Sequence, residues 1–192
     1  MKKLLITGFD PFGGETINPS WEAVKLLPEQ IGNFVLCKLQ VPTIFGLAAE
    51  KALEKAAGFQ PDMILCIGQA GGRSAITPER IAVNIRDARI PDNAGNQPRG
   101  LLVAEDGPAA YFTTVPVNEM VSAISAVGVP SVASNSAGAF VCNDTLYALL
   151  HHYAGTATKV GFIHVPYLPE QGSPNLPLTD IVRALEAAIS VL

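Results

Sequence analysis

A short strand without alternation most constrains the fold of this chain. After Asp62, residues 63–67 read Met-Ile-Leu-Cys-Ile, with no polar side chain among them. A strand that is apolar at every position is buried on both faces, which is typical of a parallel sheet covered by helices. Other short apolar runs lie at 3–7, 33–41 and 159–164, and segments with helical spacing of apolar residues separate them. Strands that alternate with helices predict an α/β fold.

We expect one α/β domain over residues 1–192, with a largely parallel twisted sheet and helices on both faces, in three layers. The chain of 192 residues is long enough for one core, and 48% hydrophobic residues exclude a disordered chain. Asn18 is expected to cap the first helix, with Pro19 at its first position. Residues 87–107 predict a long loop, and loops of that length tend to be functional. Further helices are expected at 45–58, 117–127, from about 139, and at 178–192, and further strands at 81–85 and 132–134.

Charge and cysteine content exclude several functional classes. The net charge is −4 with no Lys/Arg run, which argues against a nucleic-acid partner and against an anionic membrane surface. The first apolar run ends after three residues, too short for a signal segment, and no later run approaches a membrane span. Three cysteines without a Cys-x-x-Cys pair argue against disulfides and structural zinc. We therefore expect a cytoplasmic protein.

Cys142 is the candidate nucleophile. The segment before it reads as the end of a strand at 132–134, a turn at Gly138 and the start of a helix. Backbone N–H groups are unpaired in the first turn of a helix and the macrodipole is positive there, so both favour a thiolate. Alternatively, Cys142 is an inert core cysteine, because it lies on the same helical stripe as Leu146 and Leu149.

His164 is the only histidine that is placed to act as a base for Cys142. His151 and His152 lie two or more turns along the same predicted helix, too far from the thiol. His164 ends the next strand, and the carboxyl ends of parallel strands share one edge of the sheet, where ligands bind. A histidine at a strand end can also be purely structural.

Glu79 is the preferred partner for orienting this histidine. It stands at the entry to a strand in an apolar neighbourhood, where a carboxylate needs a partner. Two alternatives remain open: Glu79 forms a simple ion pair with Arg73 or Arg80, or Asp144 is the orienting acid.

Two glycine-rich loops follow strands at 8–14 and 68–73. Neither has the G-x-G-x-x-G spacing, and no Walker lysine follows, so nucleotide binding is disfavoured. The first loop carries Phe9 and Phe12, which suit the walls of a small, flat, neutral pocket; ordinary core packing is the alternative.

Four segments together resemble the pyroglutamyl-peptidase I (pyrrolidone-carboxylate peptidase) family: 8–14, 68–84, 134–143 and 164–166. The resemblance runs from near the first residue to the last helix, and the blocks around Glu79 and Cys142 are specific to that family. It implies a cysteine omega-peptidase that removes N-terminal pyroglutamate from peptides through a thioester. It also implies a cytoplasmic enzyme that uses no metal or cofactor and is commonly a homotetramer.

The resemblance also implies roles for individual residues. Cys142, His164 and Glu79 match the family's catalytic triad, and Arg89 matches its oxyanion-stabilising arginine, which works with the backbone N–H of Cys142. The family's substrate pocket maps onto Phe9, Phe12, Thr43, Gln69, Ile90, Phe140 and Val141.

Two other functions stay open beside the omega-peptidase. One is a different cysteine amidohydrolase or nucleoside-processing enzyme, which would need a phosphate or ribose site that no basic cluster marks. The other is a binding module for small cyclic amides, with Cys142 as a passive wall.

Overall fold

The computed structural model describes all 192 residues and centres on a six-stranded sheet with the order β2-β3-β1-β4-β8-β5. A separate two-stranded ribbon pairs β6 with β7. The strands are β1 (Lys2–Phe9), β2 (Gln30–Ile31), β3 (Phe34–Val41), β4 (Met63–Gln69), β5 (Thr77–Pro78), β6 (Ile81–Val83), β7 (Ala110–Phe112) and β8 (Lys159–Val165). The helices are α1 (Pro19–Leu26), α2 (Leu47–Phe59), α3 (Val117–Ala126), α4 (Val141–His152) and α5 (Leu178–Ser190).

The four central strands of this sheet are parallel, which confirms the predicted fold class. β1 pairs with β3 and β4, and β4 pairs with β8, all in parallel register. Only the short edge strands β2 and β5 are antiparallel. The apolar run in β4 is fully buried, as expected for a strand covered on both faces.

Two apolar cores lie on opposite faces of the sheet. Successive strand side chains point to opposite faces, so Leu4 and Ile6 of β1 join one core and Leu5 joins the other. The first core contains residues of α1, α3 and α5, and the second contains residues of α2 and α4. The result is one α/β domain of three layers. None of the five helices has the length and apolarity that a membrane crossing requires.

The prediction of a regular strand at 132–134 is wrong. The chain there is extended beside residues 76–80, but the pairing reduces to isolated bridges at Ile76–Ser131 and Glu79–Ser134. Ile76, Val132 and Ser134 each donate to the opposite segment, and Arg80 donates to Ser134. Pro78 has no N–H, so the ladder is interrupted at its centre. The remaining bonds still hold Ser134 beside Glu79.

The extents of β6 and α2 also differ from the sequence-based expectation. The strand expected at 81–85 ends at Val83 and pairs with the unpredicted β7 in the separate ribbon. The helix expected at 45–58 begins at Leu47 and continues through Gly58 to Phe59. Gln60, in the left-handed conformation, ends it, a position where glycine is more usual.

Candidate active site

A cavity of about 580 Å³ opens at the carboxyl ends of the parallel strands. This is the edge where parallel sheets bind ligands. The loops after β1 and β4, the end of β8 and the first turn of α4 all line it. Of the residues proposed from the sequence, it is lined by Phe9, Phe12, Thr43, Gln69, Arg89, Ile90, Phe140, Cys142 and His164.

Cys142 lies in the first turn of α4, as expected. The preceding turn is made at Gly138, whose φ of 80° is unfavourable for other residues. Phe140 stands at the N-cap and provides no side-chain cap, and no backbone acceptor takes the N–H of Cys142. The start of α4 therefore presents an unpaired N–H beside the sulfur.

Gly68 places the sulfur of Cys142 next to His164. A Cβ at Gly68 would lie 2.9 Å from Cys142 Sγ, so the sulfur packs directly on this glycine. Gly68 of β4 is the register partner of His164 on β8. Partners on adjacent parallel strands project to the same face, so the sulfur and the imidazole lie side by side over neighbouring strands.

Gly68→Ala is expected to displace the nucleophile. The added methyl would lie 2.6 Å from Phe162 Cζ as well as 2.9 Å from the sulfur, so Cys142 has to move. A misplacement of about 1 Å costs on the order of 100-fold in rate. We expect kcat/KM for the chain's substrate to fall by about that factor. Gly58→Ala is the control, because nothing lies within 4 Å of its added Cβ; equal activity of the two variants would contradict this placement of the sulfur.

A buried hydrogen bond joins His164 to Glu79. His164 Nδ1 lies 2.7 Å from Glu79 Oε1, and the two side chains are 4% and 0% exposed. Because the carboxylate only accepts, Nδ1 carries the proton that is donated. In the neutral ring Nε2 is therefore unprotonated, and His164 turns it to the cavity as a free acceptor.

Arg73, which is partly exposed, is a third member of this hydrogen-bonded group. Its Nη1 donates to the same Glu79 oxygen at 2.7 Å, and its Nη2 donates to the Ser136 carbonyl at 3.0 Å. From the sequence, an ion pair between Glu79 and Arg73 was an alternative to a hydrogen bond between Glu79 and a histidine. In the structure Glu79 makes both contacts. Arg80 instead binds Asn118 and Asn135.

Asp144 does not contact His164. Its carboxylate, 0% exposed, accepts from Arg86 Nε at 2.5 Å and from the Gly46 N–H at 2.7 Å. It thereby ties α4 to the start of α2, which removes it as the orienting acid. His151 lies outside the cavity and contacts Tyr111 and Asp106.

Burial and hydrogen bonding set the charge state of the Glu79–His164 pair. Burial favours the neutral carboxyl of Glu79, but the hydrogen bonds from His164 and Arg73 outweigh it and hold its pKa below the usual value. Burial also lowers the pKa of His164, against the opposing effect of Glu79. At neutral pH the pair is therefore an ionised carboxylate and a neutral imidazole.

The expectation of a resting thiolate at Cys142 is wrong. Burial raises the pKa of the Cys142 thiol, and Cys66 and Glu79 raise it further. These effects favour the protonated thiol and act against the helix N-terminus. Burial likewise raises the pKa of Cys66 to about 12. Cys142 therefore needs a base to become a nucleophile.

The long loop after β6 is fixed over the cavity. Asp92, 6% exposed, accepts from the N–H groups of Phe45, Ala94 and Asn96. The Asp87 N–H donates to the Ala139 carbonyl in the turn before Cys142. These bonds bring three exposed residues of this loop to the cavity, Asp87, Arg89 and Ile90, and Arg89 forms no ion pair there.

Aromatic rings form much of the cavity wall. Phe12 and Phe140 lie 6.0 Å apart between ring centroids, and Phe45 packs edge-on against Phe140 at 5.2 Å. Val141 does not line the cavity, contrary to expectation. Its side chain is 0% exposed and belongs to the apolar core under α4, because the helix turns it inward.

Comparisons with known proteins cover nearly the whole chain. The model of the pyroglutamyl peptidase family matches residues 2–192. The chain is 50% identical to pyrrolidone-carboxylate peptidase 1 of Caldanaerobacter subterraneus, over 99% of this chain and 97% of that protein. It is 52% identical to the pyrrolidone-carboxylate peptidase of Levilactobacillus brevis, with the same coverage.

Solved structures agree with these sequence matches. The pyroglutamyl peptidase I of Bacillus amyloliquefaciens superposes with a TM-score of 0.96 at 47% identity, over 100% of this chain and 96% of that one. The pyrrolidone carboxyl peptidase of Thermococcus litoralis has a TM-score of 0.95 at 39% identity, over 100% and 93%. Family model, sequence identity and fold all agree along the full length, and the chain belongs to the pyroglutamyl peptidase family.

Proposed function

We propose that Cys142, His164 and Glu79 form the catalytic triad of this pyroglutamyl peptidase, with Cys142 as the nucleophile. The enzyme removes an N-terminal pyroglutamyl residue from peptides. The observation that carries the triad is the placement of the Cys142 sulfur on Gly68, beside a histidine whose Nδ1 is held by a buried carboxylate. A nucleophile, its base and an orienting group in this order are what acyl transfer requires.

The first half of the reaction forms a thioester. His164 Nε2 takes the thiol proton as Cys142 Sγ attacks the pyroglutamyl carbonyl carbon. The resulting oxyanion is held by the backbone N–H of Cys142 and by Arg89. The imidazolium then gives its proton to the leaving amine as the C–N bond breaks. Because the thiol and imidazole are both neutral at rest, general-base catalysis starts the sequence.

The second half releases pyroglutamate. His164 removes a proton from water, which attacks the thioester carbonyl, and Cys142 leaves and regains the proton. Glu79 keeps the proton on Nδ1 and stabilises the imidazolium in both halves. Arg73 holds the Glu79 oxygen in place.

A neutral pocket suits the substrate. The side chain of pyroglutamate has closed on its α-amine as a lactam, so the residue presents no charged amine. A flat neutral ring binds best between apolar walls with one or two polar anchors. We assign the walls to Phe9, Phe12, Thr43, Ile90 and Phe140, and the anchor to Gln69. Hydrogen bonding to the lactam discriminates against proline, which lacks the ring carbonyl.

The function is tested by hydrolysis of pyroglutamyl-amidomethylcoumarin beside prolyl-amidomethylcoumarin. We expect turnover of the first and on the order of 10⁴-fold less of the second, since a site built to hydrogen-bond a group rejects the analogue without it. Iodoacetamide should abolish the activity. Equal turnover of the two substrates would contradict the pocket assignment, and activity that survives full alkylation of Cys142 would contradict the nucleophile.

The pH profile reports the lowered pKa of His164. Because the active base is the neutral imidazole, kcat/KM should be retained below pH 6.5, the ordinary pKa of histidine, and fall as the pH drops through the lower pKa. The stability of the folded chain should also decrease as the pH falls. The unfolded chain binds a proton below about pH 6.5 that the folded chain does not, so folding weakens on acidification. For activity, an acid limb above pH 6.5 in the pH–rate profile would contradict the lowered pKa of His164.

We also propose a homotetramer in a reducing cytoplasm. Several large apolar side chains are exposed, among them Leu101, Leu102 and Phe112, of which Phe112 is 74% exposed on the β6–β7 ribbon. Exposed apolar surface of this kind is typical of assembly interfaces. The reducing cytoplasm is proposed because the thiol of Cys142 has to stay reduced to act as a nucleophile. Light scattering should give four times the chain mass of 20.2 kDa; a mass of one chain at micromolar concentration would contradict assembly.

A further inference from the structure

Gln171 lies behind the proposed substrate anchor, in the segment that follows β8. Its side-chain oxygen accepts from the Leu168 N–H at 3.1 Å. Its NH2 group lies 3.0 Å from Gln69 Oε1. The same NH2 is 3.4 Å from the Ile17 carbonyl and 3.4 Å from Glu15 Oε2. Both polar atoms of this side chain therefore have partners, and one of these partners, Gln69, lines the cavity.

The partners of Gln171 allow only one orientation of its amide. A backbone N–H can only donate and a backbone carbonyl can only accept. The Leu168 N–H therefore requires the Gln171 oxygen, and the Ile17 carbonyl requires the Gln171 NH2. Glu15, when ionised, also accepts only. If Gln171 were flipped, two donors would face each other at Leu168 and acceptors would meet at Ile17 and Glu15.

The orientation of the Gln171 amide also determines the orientation of the Gln69 amide. Since Gln171 presents donors, Gln69 has to present its oxygen to Gln171. The Gln69 NH2 then turns away from Gln171, and no protein acceptor takes it. Gln69 lines the cavity, so its free donor is available to a bound molecule.

We propose that Gln171 is a positioning residue for substrate selection, which holds the Gln69 carboxamide with its NH2 toward the lactam carbonyl of pyroglutamate. The inference rests on the proposed role of Gln69 as anchor and adds the direction of its hydrogen bond. A reversed Gln69 would set its oxygen against the lactam oxygen, and two acceptors repel. Rejection of proline then depends on a residue that does not touch the substrate.

Gln171→Glu tests the direction of this bond. The new carboxylate still accepts from Leu168, but its other oxygen now demands a donor, so Gln69 turns its NH2 away from the cavity. We expect KM for pyroglutamyl-amidomethylcoumarin to rise about tenfold or more, with a smaller change in kcat, because a hydrogen bond in the bound state is lost. The ratio of pyroglutamyl to prolyl turnover should fall by a similar factor.

Two further variants separate orientation from general damage. Gln30→Glu makes the same change of charge on β2, at an edge of the sheet, and should leave KM and selectivity unchanged. In a Gln69→Leu background, Gln171→Glu should add less than about a twofold effect, because coupled residues are not additive. Full additivity of the two variants would overturn the proposal.

Binding to a catalytically silent protein distinguishes this proposal from the triad. In a Cys142→Ala background, calorimetry with pyroglutamyl-alanine measures affinity without chemistry. Gln171→Glu should raise Kd about tenfold. An unchanged Kd would overturn the role of Gln171 whatever the nucleophile is. Hydrolysis by Cys142→Ala itself would overturn the triad and leave the role of Gln171 intact.

Discussion

Cys142→Ala is expected to lower kcat by roughly 10⁴- to 10⁶-fold, the loss found when the nucleophile of a triad is removed. No other side chain that lines the cavity is placed over Gly68 to attack in its place. The fold should survive, because Cys142 is only partly buried at the cavity and alanine is the best helix former. Steady-state hydrolysis of pyroglutamyl-amidomethylcoumarin and thermal unfolding measure the two effects.

Cys37 provides the matched control for the nucleophile. It is also a free, partly buried cysteine, but it lies within β3, away from the cavity. Cys37→Ala should keep near-full activity and its sensitivity to iodoacetamide. Residual hydrolysis above about 1% in Cys142→Ala, well beyond the expected loss, would remove Cys142 as the nucleophile.

Glu79→Ala is the second change with a large expected effect, on stability as well as on activity. It removes the acceptor of His164 Nδ1 and the counter-charge of Arg73 together. Breaking a buried pair costs about 3–5 kcal/mol, and the lower end applies because the Arg73 side chain is 30% exposed. A loss of about 3 kcal/mol lowers the Tm by roughly 6–12 °C in a chain of this size. Activity should fall by roughly 10³-fold or more, since the imidazole loses both its orientation and its charge partner.

Glu79→Gln separates orientation from charge. Arg73 can only donate, so it draws the amide oxygen to the position of Oε1, where that oxygen also accepts from His164 Nδ1. The tautomer is therefore kept and only the negative charge is lost. A hydrogen bond to a charged group is worth about 1.5–3 kcal/mol, so we expect a loss of roughly 10- to 100-fold. Full activity would mean that Glu79 serves stability alone.

The location of the site could be predicted from the sequence because it depends on local patterns. Apolar runs without alternation predicted a parallel sheet, and Phe9, Gln69 and His164 each stand at the end of such a run. The carboxyl ends of parallel strands meet at one edge, so these residues were expected to lie together. The cavity lies at that edge.

The contacts behind the site could not be predicted in the same way. Arg73 shares an oxygen of Glu79 with His164, and Gln171 meets Gln69 from 102 positions along the chain. Nothing in the local sequence marks such pairs, because they depend on how separate loops pack. Gln171 stands in an irregular segment with no periodic pattern, so no sequence signal pointed to it.

The sequence by itself determined the alternation of the long strands with helices, the sheet edge that carries the chemistry, and the residue types available there. Only the tertiary structure decided which charges these residues carry and which way they face. Desolvation keeps the thiol of Cys142 protonated, against the expectation from its helix position. The packing of α4 turns Val141 into the core and Asp144 toward Arg86. Hydrogen-bond direction and the burial of individual polar groups depend on segments that are brought together in space, and the local sequence does not specify them.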